Sequence, residues 1–372
     1  MQTSEKSMLP VAVDLFSGAG GLTLGLKRAG FRVAAAVEIE GHAFATYKTN
    51  HPEVRAIKQD VRTVKGRHLR ALAGGEVDLL AGCPPCQGFS SLTNTSSKRD
   101  PRNDLVLEMA RLVKEIRPRA VMMENVPGLA DRGKRLFNRF LKTLEALNYR
   151  YTWDVLQVAD YGVPQNRRRL VLFAGRGFAL ALPNPTHHRI GEGGLHRWKT
   201  LRDVISNMGP TTFLEKSPKA SGPLPLSWHV VRHLSPMNIA RLRKTRPGTS
   251  RAKLPKSLRP DCHKAADTGY SNVYGRMSWD QLPATITAGC TTLSKGRFGH
   301  PSELRTISLR EAARIQTFPD DYVFDTPYME YACGMVGNAL PCDFAETLAA
   351  SLALQLPAKK NRSDVRANAR HP

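Results

Sequence analysis

Two cysteines that could act as a nucleophile, a redox pair or metal ligands lie in the segment GCPPCQGFS, residues 82–90. A zinc site would need further ligands, and the chain has no second Cys-x-x-Cys and no His-x-x-His to supply them. A redox pair usually begins a helix, which the two prolines between Cys83 and Cys86 oppose. The third interpretation is a nucleophilic thiol at Cys86, with Cys83 as a small core residue. No metal site is predicted.

A carboxylate and a run of arginines could complete such a site. Glu124 follows an apolar run, at a place where it could converge with a nucleophile on one cleft. Gln165, Arg167 and Arg169 alternate just before the apolar residues 170–173, so in an extended segment they share one face. Arginine on that face could orient a carboxylate or a phosphate. The alternative for Glu124 is a solvated acid on a loop, and the alternative for the arginines is ordinary surface basicity.

The elements that must position these residues alternate along the first half of the chain. Short apolar runs at residues 11–16, 31–37, 77–81 and 120–123 predict strands, and helical spacing follows at 22–30, 42–50 and 105–116. Alternation of this kind predicts an α/β fold with a parallel sheet covered on both faces. Open sheets of this class bind ligands at the carboxyl ends of their strands, where the candidate side chains lie.

A glycine-rich loop, FSGAGG at residues 16–21, follows the first predicted strand. It resembles a nucleotide-binding turn, although it is not G-x-G-x-x-G. Glycines allow a ligand to approach the backbone, and the following helix N-terminus favours a carboxylate or phosphate. Glu38 ends the next strand, where an acid can bind ribose hydroxyls, and Asp60 could hold an adenine amino group. The alternative to a nucleoside-containing cofactor is a tight turn with two surface acids.

The net charge is strongly positive: 55 Lys and Arg against 32 Asp and Glu give +23. Residues 176–270 contain 17 basic and 5 acidic residues, so this quarter of the chain carries a net +12, about half of the excess. Four prolines interrupt residues 232–264, which predicts loops on a small scaffold. A polyanion, and in particular nucleic acid, is the expected partner; the alternative is a solvated basic surface.

Composition excludes several other classes of protein. Hydrophobic residues make up 41% and charged residues 23%, which is ordinary globular usage. The sequence contains no run of 18 apolar residues, so no membrane span is predicted. The first ten residues also lack the apolar core of a secretion signal. Six cysteines without a regular framework suggest a reduced compartment. We therefore expect a cytoplasmic protein.

Taken in order, these motifs resemble the DNA (cytosine-5)-methyltransferase family of prokaryotic type. The resemblance covers nearly the whole chain and rests on DLFSGAGG, GCPPCQGFS, DPRNDL, ENV, QNRRR, PATIT, LREAARIQTFPD and VGNALP, with Glu38 and Asp60 in the second and third motifs. Departures are small. Leu282 stands where the family often has Arg or Ser, and Cys342 follows the final proline.

The resemblance implies a Rossmann-like, S-adenosylmethionine-dependent methyltransferase fold with a smaller, basic, loop-rich target-recognition domain. The expected divisions are an N-terminal extension (1–10), a catalytic and cofactor-binding domain (11–175), the recognition domain (176–330), a segment that returns to the catalytic domain (331–357) and a basic disordered tail (358–372).

The resemblance also implies roles for individual residues. Cys86 would attack C6 of cytosine, Glu124 would stabilise charge at N3, and Arg167 would hold the base and Glu124, with Arg169 beside it. Those expected to line the S-adenosylmethionine site are Phe16, Ser17, Gly18, Gly20, Gly21, Glu38, Ile39, Asp60, Val61, Pro84, Leu105 and Asn338. Those expected to contact the substrate are Gln87, Ser90, Asn125, Gln165 and Thr285.

In a duplex the target base must be flipped out, and residues 87–97 read as a mobile loop that could close over it. The candidates for base contacts in the recognition region are Trp228, His229, Arg232 and His233.

Double-stranded DNA is the expected substrate, with a monomer acting on it and associating with the nucleoid through DNA. A cognate restriction endonuclease could belong to the same system without forming a stable complex. One alternative is a tRNA cytosine-5 methyltransferase, but the Cys-Phe-Thr motif expected after ENV does not occur. Another is a catalytically silent DNA-binding relative, which should have lost Cys86 or Glu124, yet both are present.

Overall fold

A seven-stranded sheet with strand order β3-β2-β1-β4-β5-β7-β6 occupies the first half of the chain. The computed structural model describes residues 9–85, 101–214, 228–261 and 271–358. The predictions that concern Cys86, Gln87, Ser90, the loop at 87–97 and the tail from residue 359 fall outside the described residues. The sheet strands are β1 (Val11–Leu15), β2 (Arg32–Glu38), β3 (Arg55–Lys58), β4 (Leu79–Gly82), β5 (Ala120–Asn125), β6 (Tyr149–Gln157) and β7 (Arg168–Arg176).

Ten helices accompany the strands in the described parts of the chain. They are α1 (Gly21–Arg28), α2 (Gly41–Asn50), α3 (Gly66–Ala73), α4 (Leu105–Ile116), α5 (Lys134–Ala146), α6 (Arg202–Ile205), α7 (Pro236–Lys244), α8 (Leu309–Ile315), α9 (Met329–Asn338) and α10 (Cys342–Gln355).

The predicted strands and helices of the first half are confirmed, because their apolar residues form two cores, one on each face of the sheet. Every residue of β1, β4 and β5 is buried, as expected for central strands covered on both sides. One aspect differs from the prediction of a parallel sheet. The strand β7 pairs antiparallel with both β5 and β6, since a short connection joins β6 directly to β7.

The strands become short after β7, with two residues in each. The described strands there are β8 (His187–His188), β9 (His196–Arg197), β10 (Thr212–Phe213) and β11 (Val230–Val231), which pair in two small parallel ribbons. A third hydrophobic core gathers residues from this region and from α8 and α9, including Trp228, Phe298 and Phe324. The last helix, α10, packs on α1 and contributes Phe344 and Leu348 to the core on one face of the central sheet.

The contact between α1 and α10 is close at Gly25. A Cβ atom added there would come within 2.5 Å of the Ala345 Cβ and of the Glu346 backbone nitrogen. Gly334 lies within α9 and offers a matched comparison, because a Cβ atom added there would meet nothing within 4 Å.

We predict opposite effects of alanine at these two helical glycines. Gly25→Ala should lower the free energy of unfolding by about 1–3 kcal/mol through overpacking. Gly334→Ala should leave it unchanged or raise it by about 0.5–1 kcal/mol, because alanine favours the helix. Urea unfolding of the two variants beside the unmodified protein makes the comparison. Equal stability of the Gly25→Ala variant and the unmodified protein would show that α1 and α10 can separate at little cost.

Candidate active site

A buried ion pair lies at the edge of the sheet where β5 ends. The Arg169 Nε atom lies 2.7 Å from Glu124 Oε1, and the two side chains are 14% and 9% exposed. The antiparallel register of β5 and β7 brings the two residues together, since Glu124 pairs with Val171. Burial lowers the pKa of Arg169, and the Glu124 carboxylate opposes that shift. The pair is therefore a carboxylate held in one orientation by a guanidinium, next to the end of β4.

Cys83 follows β4 directly and lies near the same carboxylate. Burial raises the pKa of the Cys83 thiol well above its usual range, and the negative charge of Glu124 raises it further. The thiol therefore stays protonated and is a poor nucleophile. This environment agrees with the interpretation of Cys83 as a small core residue, and its side chain packs against the core on one face of the sheet.

Asn125 ties the start of the Cys-Pro-Pro-Cys segment to the end of β5. Its Nδ2 atom donates to the Pro84 carbonyl oxygen at 2.9 Å, and its Oδ1 atom accepts from the Val126 N–H at 2.8 Å. Asn125 is 3% exposed. The structure thus gives Asn125 a positioning role between two strand ends, where the sequence predicted a contact with substrate. Pro84, predicted to contact the cofactor, is buried at this junction.

The Arg167 guanidinium is buried and binds backbone carbonyl groups from two distant segments. It donates to Ile286 O at 3.0 Å, to Gly337 O at 3.3 Å and to Ala339 O at 3.1 Å. The expectation that Arg167 holds Glu124 is therefore corrected: Arg169 makes that ion pair, two positions further along the same strand face. Arg167 instead joins the start of β7 to the segment around Ile286 and to the C-terminal end of α9.

Gln165 belongs to the same buried junction. Its Nε2 atom donates to Gln316 Oε1 at 2.7 Å, and its Oε1 atom accepts from the Ile286 N–H at 3.0 Å. Gln316 in turn donates to Val336 O and Ala339 O. Since Gln165 is fully buried and both ends of its amide are bonded within the chain, it has a scaffolding role in place of the predicted substrate contact. Thr285 is partly exposed at the rim, where its hydroxyl donates to Asn166 O at 2.6 Å.

The glycine-rich loop adopts the conformation that its composition predicts. Phe16, Gly18 and Gly20 all have positive φ angles, of 59°, 54° and 99°. Ser17 is buried, and its N–H donates to Val37 O at the end of β2. Gly21 begins α1, and a Cβ atom added there would come within 3.0 Å of Leu340 O. A Cβ atom added at Gly18 would meet nothing within 4 Å, so Gly18 borders open space.

Glu38 lies at the end of β2, as predicted, and its carboxylate joins this strand end to the loop. Its Oε2 atom accepts from the Gly18 N–H at 2.8 Å, and its Oε1 atom accepts from the Ile39 and Glu40 N–H groups. Burial raises the pKa of Glu38, and the three backbone donors oppose the shift. Ile39 is 60% exposed, so it offers an uncovered apolar surface next to this carboxylate.

The remaining predicted cofactor residues lie at other element ends. Asp60 precedes a short 3-10 turn and accepts from the Arg62 N–H and guanidinium, and Val61 is buried behind it. Leu105 is buried at the first turn of α4, and Asn338 is exposed at the end of α9. The open space beside Gly18, the carboxylates of Glu38 and Asp60 and the exposed Ile39 side chain are groups of the kind that hold a nucleoside with ribose hydroxyls. The residues therefore fit S-adenosylmethionine.

Two of the four residues suggested for base contacts lie in the interior. Trp228 is 2% exposed and donates through its indole N–H to Phe324 O. His229 is buried between Ser308 Oγ and Gly209 O. For these two the prediction is wrong, because each polar group is bonded within the core. Arg232 forms an ion pair with Glu330, and exposed His233 stacks on Phe213 with ring centroids 4.2 Å apart.

Gln316, His51 and Tyr322 were not identified from the sequence. Gln316 bonds to Gln165, and the other two bond to the glycine-rich loop. Gln316 and Tyr322 lie within or just after the segment LREAARIQTFPD, whose polar residues interrupt an apolar helix pattern. His51 ends α2 and carries no local signal.

Comparisons with known proteins identify the class of protein that this fold and site define. Residues 11–353 match the family described as C-5 cytosine-specific DNA methylase. The type II methylase M.HgiDII of Herpetosiphon aurantiacus is 36% identical over 96% of this chain and 99% of its own length. The type II methyltransferase M1.BsuMI of Bacillus subtilis is 30% identical over 90% of this chain and 78% of its own length.

A solved structure of a DNA modification methyltransferase encoded within an E. coli prophage has the same fold. It superposes with a TM-score of 0.70 over 93% of this chain and 99% of that chain, at 23% identity. The chain belongs to the C-5 cytosine-specific DNA methylase family and is a methyltransferase. Within the described ranges, no helix has both the length and the apolar character needed to cross a membrane.

We predict that Arg167 stabilises the fold far more than its neighbour does. Arg167→Met should lower the free energy of unfolding by about 3 kcal/mol or more, because it removes the donor of the buried Ile286 and Gly337 carbonyl groups. Arg168→Met, at the exposed first residue of β7, should change it by about 0.5 kcal/mol or less. Denaturant unfolding monitored by tryptophan fluorescence measures both. Similar losses in the two variants would contradict a structural role specific to Arg167.

Proposed function

We propose that this protein is a DNA (cytosine-5-)-methyltransferase that transfers a methyl group from S-adenosylmethionine to C5 of a flipped-out cytosine in a short duplex sequence. The observation that carries the proposal is the buried Glu124–Arg169 pair beside the start of the Cys-Pro-Pro-Cys segment. Cys86 follows the anchored Pro84 by two positions in the sequence. A thiol and an oriented carboxylate at neighbouring strand ends suit attack on a pyrimidine ring.

The reaction begins with the Cys86 thiolate. Its sulfur forms a bond to C6, and the C5=C6 electron pair moves toward N3, where a proton shared with Glu124 balances the charge. Arg169 keeps the Glu124 carboxylate aimed at that position. C5, made nucleophilic by the electron pair that returns from N3, would then accept the methyl group that the bound cofactor supplies. Loss of the C5 proton to a base re-forms C5=C6, and the C6–S pair returns to Cys86.

S-adenosylmethionine supplies the electrophilic methyl group when it is bound. Phe16, Gly18 and Gly20 would line its site along the glycine-rich loop, and Glu38 would receive its ribose hydroxyls. Ile39 would cover one face of its adenine, and Asp60 would accept from the adenine amino group.

The substrate is proposed to be double-stranded DNA, because the excess positive charge is concentrated after β7. Basic side chains there would contact phosphates, and a few others would read base edges in the major groove. Type II relatives suggest a restriction-modification setting in the cytoplasm. A monomer suffices, since one molecule can act on a palindrome strand by strand.

Base-resolved sequencing of plasmid DNA from expressing cells tests the reaction. We expect 5-methylcytosine in one short motif, abolished by Cys86→Ala. Cys83→Ser should retain a substantial level of it, because burial raises the pKa of the Cys83 thiol well above its usual range and so makes this thiol a poor nucleophile. Marks that persist in Cys86→Ala would remove Cys86 as the nucleophile. Loss in Cys83→Ser, with folding intact, would restore the paired-cysteine interpretation. If DNA carries no 5-methylcytosine, cellular RNA is sequenced in the same way, and 5-methylcytosine in tRNA would support the tRNA alternative.

A segment exchange tests which part of the protein recognises the DNA sequence. Replacing residues 173–273 with the equivalent segment of a relative of different specificity should transfer the methylated motif to that of the donor. The same sequencing assay reads the outcome, with each unmodified parent as a control. Unchanged specificity in an active chimaera would place recognition outside this segment.

A further inference from the structure

Two side chains from distant parts of the chain bind the carbonyl oxygens of the glycine-rich loop. The Tyr322 hydroxyl donates to Ala19 O. His51 Nε2 lies 3.2 Å from Gly20 O and 3.1 Å from the Tyr322 hydroxyl. His51 ends α2, whereas Tyr322 follows α8 and stands 303 positions after Ala19. These contacts hold the side of the loop where it enters α1.

His51 must act as a donor in this arrangement. Carbonyl oxygens only accept, so Nε2 carries the proton, and Nδ1 is left to face Lys27 Nζ at 3.5 Å. Burial and, to a smaller extent, the Lys27 charge lower the pKa of His51 to about 4. The imidazole is therefore neutral near pH 7 and keeps one N–H available for the loop.

The position of Tyr322 is fixed by hydrogen bonds to its segment and by aromatic packing. The buried Arg310 guanidinium donates to Tyr322 O at 2.9 Å and to Pro319 O at 3.3 Å. The Tyr322 ring packs with Phe318 and Phe324, at centroid distances of 4.8 and 5.7 Å. The phenol is thus a rigid extension of the segment that follows α8.

The loop has no room to move toward these side chains. Gly20 has φ of 99°, and a Cβ atom added there would come within 2.5 Å of His51 Nε2 and 2.8 Å of the Tyr322 hydroxyl. On its other side the loop is bonded to Glu38 through the Gly18 N–H. The loop is therefore clamped between the acid at the end of β2 and the His51–Tyr322 pair.

We propose that His51 and Tyr322 are positioning residues that hold the glycine-rich loop in its cofactor-binding shape. Tyr322 makes tight cofactor binding depend on how the segment after α8 docks against the sheet. This inference rests on the proposed use of S-adenosylmethionine. Neither residue is proposed to touch the reacting atoms, so the effect should appear in cofactor affinity and much less in the rate at saturating cofactor.

Calorimetric titration of the full-length protein with S-adenosylmethionine tests the Tyr322 hydroxyl. Tyr322→Phe should raise Kd for the cofactor about tenfold, as expected for loss of one buried hydrogen bond to the loop. In methylation assays, KM for the cofactor should rise similarly, while kcat stays within about twofold. The matched control is Tyr149→Phe, which removes a buried hydroxyl bonded to Pro118 O far from the loop. That variant should leave Kd unchanged.

His51 variants keep the inference testable if Tyr322→Phe does not fold. His51→Leu removes the donor and should raise Kd about tenfold or more, whereas His51→Gln retains an N–H donor and should recover most of the affinity. Kd within twofold of the unmodified protein in Tyr322→Phe, or in folded His51→Leu, would overturn the inference. An equal rise in Tyr149→Phe would overturn it too. Failure of the unmodified protein to bind S-adenosylmethionine would instead overturn the proposed function, and this inference with it.

Discussion

The buried Arg167 guanidinium is the interaction on which the rest of this molecule depends. A charge in the interior is costly unless its donors are satisfied. Here the two terminal nitrogens donate to the backbone carbonyls of Ile286, Gly337 and Ala339, while the buried Nε finds no partner among the described residues. Those partners come from segments more than one hundred residues further along the chain. Burying Arg167 therefore requires that the end of the chain return to the edge of β7. Gln165 and Gln316 complete the junction with neutral hydrogen bonds.

That junction places the candidate catalytic groups. Arg167 and Arg169 lie on one face of the strand, so fixing Arg167 against the returning segment leaves Arg169 directed at Glu124. Asn125, next to Glu124, holds Pro84 and so ties the cysteine-bearing segment to the same strand end. The glycine-rich loop is held in the same manner, by Glu38 on one side and by residues of two other segments on the other. Each part of the site is supported by hydrogen bonds between side chains and backbone groups of other segments, which fixes the positions of Glu124 and of the glycine-rich loop.

The positive charge serves two different purposes. Arg276, Arg305 and Arg310 are largely buried and donate to carbonyls or carboxylates within the region after β7. Where regular elements are as short as β10 and β11, few backbone groups satisfy one another, and arginine side chains supply the missing donors. Only part of the net charge is therefore available to DNA phosphates. The basic composition predicted a polyanion partner, and it also reflects how a loop-rich region is stabilised.

The sequence by itself determined the strands β1, β2, β4 and β5 and the helices α1, α2 and α4, because strand and helix periodicities are local, but it did not predict β3, β6, α3 or α5. It also placed Glu38 at a strand end and the glycines where positive φ angles are needed, since these depend on few neighbouring residues. Only the tertiary structure decided which side chains meet. Period-two alternation predicted that Arg167 and Arg169 share one face. In the structure Arg167 donates to the carbonyls of Ile286 and Ala339, whereas Arg169 pairs with Glu124. Likewise, the sequence suggested that Trp228 and His229 contact bases, but in the structure both are buried against Phe324 and Ser308, which flank α8. Such partners come from residues far apart in the chain, and no local pattern records them.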